Sequence, residues 1–183
     1  MSDDLSQVKL PDDDGRVPVR LDVNGRARTL RVHPTQTLLD ALREQLRLHG
    51  ARSGCGVGMC GACTLIIDEQ AVSGCLTMAA LCDGRQVRTV EGLEARDGTL
   101  SPVQEAFLRH RAFQCSYCTS GFVLALEALL AADPEPDEAA VREAFSGHIC
   151  RCGSYSRIMA AAREVAGIGT ALESAAVETR ERA

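Results

Sequence analysis

The first part of the chain alternates apolar and polar residues with the period of two that half-buried strands show. Every second residue from Val17 to Val23 is apolar, so we expect a strand there. The dipeptide Asn24-Gly25 favours a two-residue hairpin turn, and residues 27–32 are expected to return as the partner strand. Further short strands are predicted over residues 65–68 and 86–90.

A helical spacing of leucines follows the predicted hairpin. The apolar stripe is formed by Leu38, Leu39, Leu42 and Leu46. Thr37 and Asp40 resemble a capping box in which Asp replaces Glu, so the helix is expected to begin there. Gly50 stands where a helix-ending glycine is expected. Two strands, a helix, a cysteine-rich loop and further strands predict a β-grasp domain, like that of plant-type ferredoxins, over residues 16–93.

The pattern changes from strand to helix around residues 91–99. Four helices are then predicted, over residues 102–112, 120–132, 138–146 and 155–166. Ser101 and Gln104 form a capping box around Pro102, and Asp137 is placed to cap the third of these helices. The predicted fold class is therefore α+β, with the N-terminal β-grasp domain followed by a C-terminal four-helix domain over residues 94–168. Residues 1–15 are expected to form a flexible tail, and residues 169–183 a charged one.

Composition narrows the class of protein. The chain has 183 residues, 45% of them hydrophobic, and its net charge of -5 argues against a nucleic-acid partner. No apolar run reaches the roughly 18 residues that indicate a membrane-spanning helix, so no membrane insertion is expected. The acidic N-terminus lacks an export signal, and we expect a cytoplasmic location. Nine cysteines in such a reducing compartment indicate metal binding more than disulfides.

Three cysteines lie in one glycine-rich stretch with the spacing C-x4-C-x2-C, and a fourth follows twelve positions later. We call these four residues the loop cysteines: Cys55, Cys60, Cys63 and Cys75. Their spacing is typical of the ligands to a plant-type [2Fe–2S] cluster. The interspersed glycines would let the loop wrap tightly and bring its N–H groups toward the sulfur atoms.

The same stretch matches the dinucleotide-binding pattern G-x-G-x-x-G, at Gly56, Gly58 and Gly61. That fingerprint should follow a strand and open a helix. Here cysteines stand inside and just after the pattern, and residues 64–68 are predicted to form a strand. A nucleotide site is therefore the less favoured interpretation.

A second group of four cysteines lies in the predicted helical part. We call them the helix cysteines: Cys115, Cys118, Cys150 and Cys152. Each pair comes immediately before a predicted helix, whose N-terminus would offer free N–H groups to an anionic cluster. A structural zinc ion on four cysteines is the alternative, which the C-x-C pair fits poorly. The ninth cysteine, Cys82, is expected to be a small buried thiol and no ligand.

The two cysteine groups together resemble the small iron–sulfur subunit of the molybdenum hydroxylases, the xanthine oxidase and carbon monoxide dehydrogenase family. The resemblance covers about residues 16–167 and rests on GCGVGMCGACT at 54–64, QCSYCT at 114–119 and CRC at 150–152. It implies one [2Fe–2S] cluster on the loop cysteines in the β-grasp domain. It also implies a second cluster on the helix cysteines in the four-helix domain.

The resemblance further implies partners. A large subunit would hold the molybdenum–pterin cofactor, with Gln114 hydrogen-bonded to the pterin and Cys152 close to it. Electrons would pass singly from that cofactor to the helical-domain cluster and then to the β-grasp cluster. They would leave for a medium FAD subunit or, in some members, a cytochrome. Met59 and His148 depart from the residues common in the family, and Met59 would make the loop surface that faces the acceptor more apolar.

The leading hypothesis is an electron-transfer subunit of a molybdenum-dependent hydroxylase or dehydrogenase complex, with no catalytic residue of its own. The complex would hydroxylate an aromatic N-heterocycle or oxidise an aldehyde. A free-standing two-cluster ferredoxin-like carrier is the alternative, and it predicts a hydrophilic surface around the helix cysteines. A non-redox interaction module with two structural zinc ions is a further alternative.

Overall fold

The computed structural model describes residues 11–169, which form a five-stranded sheet and five α-helices. The strands are β1 (Val17–Val23), β2 (Arg26–Val32), β3 (Thr64–Ile67), β4 (Gln70–Ser73) and β5 (Gln86–Arg88). The helices are α1 (Leu38–Gln45), α2 (Pro102–Arg109), α3 (Thr119–Ala132), α4 (Glu138–Phe145) and α5 (Tyr155–Val165). The expectation that a sheet-containing part precedes a helical part is confirmed in this coarse form.

The sheet is mixed, with the strand order β2-β1-β5-β3-β4. Strand β1 pairs antiparallel with β2 and parallel with β5, and β3 pairs antiparallel with both β4 and β5. Asn24 and Gly25 form the predicted turn between β1 and β2, with φ angles of 55° and 72°. These left-handed values are what a type I′ hairpin turn requires.

Strand β4 was not expected from the sequence. It follows β3 through a turn at Asp68 and Glu69, whose φ angles of 45° and 66° are again left-handed. The Asp68 carboxylate accepts hydrogen bonds from the Gln86 backbone N–H at 2.9 Å and from Arg85 at 2.6 Å, which ties this turn to β5. Because the turn lacks glycine, the usual sequence signal for a hairpin is missing.

Helix α1 begins where expected but ends earlier. The Thr37 hydroxyl caps it by accepting the Asp40 backbone N–H at 3.1 Å. The expectation that Gly50 ends this helix was wrong. The chain leaves the helix at Arg47, which takes a left-handed φ of 58°. Gly50 instead donates its backbone N–H to the Glu91 carboxylate.

The four later helices form close to their predicted ranges. Ser101 and Gln104 make both bonds of the capping box, at 3.2 and 2.9 Å. Helix α2 ends before the predicted position 112, because Arg111 takes a φ of 47°. The Asp137 carboxylate caps α4 by accepting the Ala140 N–H at 2.8 Å.

The sheet and the helices each have an apolar core, and a third cluster joins them. Leu21 and Leu42 lie in the core between the sheet and α1, and Phe107 and Phe122 lie among the later helices. Ile66 on β3 contacts the α3 face, where the buried partners are Leu124 and Ala128. This third cluster fixes α3 against the sheet, close to the loop that carries the first three loop cysteines.

Most of both predicted tails, residues 1–10 and 170–183, lies outside the described residues. At the end of the N-terminal segment, Asp12 and Asp14 form ion pairs with Arg31 at 2.5 and 3.0 Å. Within residues 11–169, none of the helices has the length and apolarity that crossing a bilayer requires.

Candidate metal centres

The first three loop cysteines lie in an irregular segment between α1 and β3. Its path depends on Gly56, Gly58 and Gly61, which take φ angles of 71°, 76° and 67°. Side chains other than glycine are strained at such angles. The loop is followed by β3 and not by a helix, so the dinucleotide interpretation of its glycines is not supported.

Backbone N–H groups of this loop point at its sulfur atoms. Cys55 Sγ accepts hydrogen bonds from the Val57 and Met59 N–H groups at 3.4 and 3.3 Å. Cys60 Sγ accepts the Cys55 N–H at 3.4 Å. Such donors stabilise a negatively charged sulfur.

The fourth loop cysteine, Cys75, lies in the turn after β4. The Gly74 N–H donates to the Cys63 carbonyl at 3.1 Å, which holds Cys75 beside Cys63. After burial, the Cys75 side chain contributes to the raised pKa of Cys63, and after the Val57 and Met59 N–H groups the Cys60 side chain contributes to the lowered pKa of Cys55. The structure therefore brings the four loop cysteines together as two neighbouring pairs.

The helix cysteines also meet as two pairs, although they come from distant segments. Cys152 Sγ lies 3.5 Å from Cys115 Sγ, and the Cys118 thiol interacts with that of Cys150. Cys118 is the residue before α3, and Cys150 Sγ accepts the N–H of Ser154, the residue before α5, at 3.3 Å. Both helix N-termini thus face this group of thiols.

Burial and hydrogen bonding separate the thiol pKa values within each group. The Val57 and Met59 N–H groups lower the pKa of Cys55 to about 6. Burial raises the pKa of Cys63 to about 11. Burial, with the neighbouring Cys150 thiol, raises that of Cys118 to about 12. A bound cation reverses such a burial effect, because it deprotonates the thiol that coordinates it.

Among the helix cysteines, Cys115 and Cys150 have lowered pKa values. The N–H of Tyr117 is the main cause for Cys115. Burial alone would raise the pKa of Cys150, but the hydrogen bonds from Ser154 and from neighbouring cysteines outweigh it. Each group therefore contains at least one thiol whose pKa is lowered, Cys55 in the loop group and Cys115 and Cys150 in the helix group.

The paired arrangement fits a two-iron cluster. Across residues 11–169, no three His, Cys, Asp or Glu side chains gather around one point as ligands of a single metal ion would. A [2Fe–2S] cluster needs only two protein sulfurs at each iron. The N–H groups aimed at sulfur fit an anionic cluster as well. The donor chemistry and the pairing are thus both suited to [2Fe–2S] binding.

Gln114 and Cys82 lie in contrasting surroundings. Gln114 is exposed next to Cys115, and its Nε2 donates to the Cys152 carbonyl at 3.3 Å.

The Cys82 side chain is buried, with only 4% of its surface exposed, and burial raises its pKa. Its thiol contacts the Met78 carbonyl at 3.5 Å. All nine cysteines lie within the described residues, and none of them forms a disulfide there.

The two cysteine groups lie on segments that are bonded to each other. The Ile149 N–H donates to the Cys60 carbonyl at 3.0 Å, and the Tyr117 hydroxyl donates to the Ser53 carbonyl at 2.7 Å. Cys150 also donates its N–H to the Tyr155 hydroxyl at 2.8 Å. The contacts of Cys60 with Ile149 and of Ser53 with Tyr117 join residues far apart in the chain, so no local sequence pattern predicts them.

His148 is a further residue at this junction. Its Nε2 atom lies 2.9 Å from the Thr64 hydroxyl oxygen. Its ring packs against the Phe122 ring, and the two ring centroids are 5.1 Å apart. Burial lowers the pKa of His148 to about 4, against the opposing effect of the Ala144 and Gly121 backbone groups. His148 is therefore neutral at pH 7. The sequence showed only that this residue is unusual for the family it resembles.

Two family models divide this chain between them. Residues 21–92 match a "2Fe-2S iron-sulfur cluster binding domain", and residues 89–163 match a "[2Fe-2S] binding domain". The nicotine 6-hydroxylase small subunit of Paenarthrobacter nicotinovorans is 48% identical over 157 residues, which are 86% of this chain and 94% of that protein. The chain belongs to the family of small iron–sulfur subunits of molybdenum hydroxylases. The zinc alternative is thereby disfavoured for both cysteine groups.

Other proteins match this chain over a similar share of its length. The nicotinate dehydrogenase small FeS subunit of Eubacterium barkeri is 40% identical over 148 residues, 81% of this chain and 94% of that protein. Among solved structures, quinoline 2-oxidoreductase from Pseudomonas putida 86 superposes with a TM-score of 0.79 at 39% identity. That match covers 84% of this chain and 95% of the other.

The aldehyde oxidoreductase of Desulfovibrio gigas also matches this chain, but only over a small part of its own length. The TM-score is 0.77 at 34% identity, and the match covers 83% of this chain but only 17% of the other. The region of the Desulfovibrio gigas protein that resembles this chain is thus a small part of a longer chain.

Proposed function

We propose that this chain is the electron-transfer subunit of a molybdenum-dependent hydroxylase or dehydrogenase complex. The observation that carries the proposal is the pairing of eight cysteines into two groups, each supplied with N–H donors, on segments joined by the Cys60–Ile149 hydrogen bond. When bound, each [2Fe–2S] cluster supplies a one-electron carrier. Two such carriers divide a two-electron oxidation into single steps.

The cysteine groups are proposed to be the ligand sets of these two clusters. The loop cysteines, Cys55, Cys60, Cys63 and Cys75, would hold one cluster in a β-grasp domain over residues 16–93. The helix cysteines, Cys115, Cys118, Cys150 and Cys152, would hold the other in a four-helix domain over residues 94–168. The sheet order and the four consecutive helices α2 to α5 support this division.

Gln114 and Cys152 are proposed to face the pterin of the molybdenum cofactor in a large partner subunit. Gln114 is exposed, and its bond to the Cys152 carbonyl holds its amide beside the helix cysteines. The second Nε2 hydrogen and the Oε1 atom remain able to bind a partner group. Electrons would therefore enter through the helix cysteines and leave through the loop cysteines.

The electron acceptor is proposed to dock on the side of the loop cysteines, as an FAD subunit or a cytochrome. Val57, Met59 and Leu76 are 62%, 70% and 62% exposed there. Leu76 lies next to Gly58, the residue between Val57 and Met59. Exposed apolar patches of this kind mark interaction sites.

The surface around the helix cysteines disfavours the free-carrier alternative. A diffusing carrier predicts a hydrophilic surface there. Tyr117, Ile149 and Tyr155 are instead 47%, 53% and 44% exposed beside the cysteines. These side chains suit a lasting interface with a large subunit.

The substrate and the location follow as proposals from the relatives and from composition. Relatives named for nicotine, nicotinate and aldehyde oxidation favour an N-heterocycle or an aldehyde as the substrate of the complex. Cysteines with the spacing of metal ligands favour a reducing compartment, which we propose to be the cytoplasm.

Tagged purification from the native host tests the proposed function. Iron, molybdenum, zinc and flavin would be measured in the eluate, and the co-purifying chains identified. We expect about four irons per chain, together with molybdenum and a large subunit. Iron without molybdenum or a partner would support the free carrier, and zinc in place of iron would contradict both.

A further inference from the structure

Beside the bond from the Tyr117 hydroxyl to the Ser53 carbonyl, two adjacent hydrogen-bonded connections join the segments that carry the two cysteine groups. In the first, the Ile149 N–H donates to the Cys60 carbonyl at 3.0 Å. In the second, the Thr64 hydroxyl donates to the Gly61 carbonyl at 2.7 Å and lies 2.9 Å from His148 Nε2. With the hydroxyl hydrogen on Gly61, the hydroxyl oxygen accepts from His148 Nε2 in the tautomer that carries the ring hydrogen there.

These connections act on adjacent residues at both ends. Cys60 and Gly61 are neighbours on the loop, and His148 and Ile149 are neighbours before Cys150. One bond between two segments leaves them free to pivot, whereas two bonds between adjacent residue pairs fix their mutual orientation. Cys60 and Cys150 are thus held in one geometry.

The packing around the ring leaves it little room to move. His148 contacts Phe122 and Phe145, at 5.1 and 6.4 Å between ring centroids. A Cβ atom at Gly61 would lie 2.4 Å from the His148 ring, so only glycine lets the loop approach it this closely. A Cβ atom at Gly121 would lie 2.1 Å from the Gly61 carbonyl oxygen. The ring is therefore enclosed between the loop and α3.

We propose that His148 and Thr64 are positioning residues that set the distance and orientation between the two iron–sulfur clusters. They act through the hydrogen bond of Thr64 to the Gly61 carbonyl and through the contact between the two side chains. This inference rests on the proposed function, because it requires both clusters to be present. It assigns to His148 a role that concerns electron transfer between the cysteine groups within this chain.

The test compares variants of the purified complex by EPR after full reduction. Thr64→Val removes the hydroxyl at nearly constant volume, and His148→Leu removes the Nε2–H donor. Thr64→Ser keeps the hydroxyl and is the matched control. For both Thr64→Val and His148→Leu we expect wild-type iron and two separate cluster signals, but a weakened magnetic interaction between the clusters. Turnover should fall about tenfold, the size of effect seen when supporting residues of metal sites are removed.

The outcomes separate the inference from the proposed function. Iron content and the two signals of the wild-type complex test the proposed function alone. A magnetic interaction as strong in Thr64→Ser as in the wild-type complex would support positioning by the hydroxyl. An unchanged interaction in Thr64→Val and His148→Leu would overturn the inference. Loss of iron from these two variants would overturn it as well, because residues that only set the spacing are not needed for cluster loading.

Discussion

The two cysteine groups reach the same ligand chemistry by opposite routes. Three of the loop cysteines lie within nine residues, on a segment shaped by glycines with left-handed φ angles. The helix cysteines come from two segments more than thirty residues apart, which meet only because α3 and α5 pack in one core. The first site is thus built mainly by local backbone conformation, and the second by tertiary packing.

This difference has a consequence for stability. A locally shaped loop can keep its geometry when distant helices are disturbed, whereas a site between helix N-termini depends on the helical core. The junction at Gly61, Gly121 and His148 is where the two sites depend on each other. Substitutions on either side of this junction can therefore show whether each site keeps its iron when the other is disturbed.

Loss of one helix cysteine should have the largest effect. In Cys150→Ser the helical site loses a ligand, and the EPR signal of its cluster should disappear while that of the loop cluster remains. About half of the iron should be lost. Iron analysis with EPR measures both quantities. Loss of both signals together would mean that the two sites are not separable.

Gly121→Ala should disturb the junction itself. The added methyl group would lie 2.1 Å from the Gly61 carbonyl oxygen, a backbone atom that cannot move aside cheaply. We expect a loss of about 1–3 kcal/mol in the free energy of unfolding, as for other overpacked sites. Denaturant unfolding measures it. Gly147→Ala is the matched control, since a Cβ atom there has nothing within 4 Å; an equal loss in both variants would contradict the steric explanation.

Ser101→Ala should weaken the helical part alone. It removes the side-chain half of the capping box of α2 and the hydrogen bond to Glu127 at 2.5 Å. The expected cost is about 1 kcal/mol, measured by denaturant unfolding, with the loop-cluster EPR signal unchanged. If that signal were lost, the loop site would depend on the helical core more than its local construction indicates.

Cys82→Ser should have the smallest effect on the metal content. Cys82 is buried in the core next to the sheet, and its thiol lies 3.5 Å from the Met78 carbonyl oxygen. Iron content should stay at the wild-type level, although stability should fall slightly because a hydroxyl is buried in place of a thiol. A drop in iron by half would make Cys82 a ligand.

The same contrast explains how far the sequence could predict the structure. The hairpin at Asn24-Gly25 and the caps at Ser101 and Asp137 are local features with known residue signals, and the structure contains all three. The spacing of the loop cysteines is an equally local signal. Strand β4 was missed because Asp68 and Glu69 form its turn without glycine. The end of α1 was misplaced because Arg47 accepts a left-handed conformation.

The junction between the cysteine groups could not be predicted from local signals. Thr64 and His148 are 84 positions apart, and neither has a neighbour in sequence that indicates their contact. The Ile149–Cys60 hydrogen bond joins two backbone groups, which carry no side-chain signature at all. The spacing of the helix cysteines predicts that they belong together, because pairs of cysteines at such spacings are typical of metal ligands. Common residues such as Thr64 carry no comparable spacing signal.

Spin-counted EPR of the fully reduced complex tests the central claim most directly. The account predicts two distinct [2Fe–2S] signals of equal intensity, one from the loop cysteines and one from the helix cysteines, which interact magnetically. A single signal, or two signals without equal intensity at full iron content, would contradict the assignment of one cluster to each cysteine group.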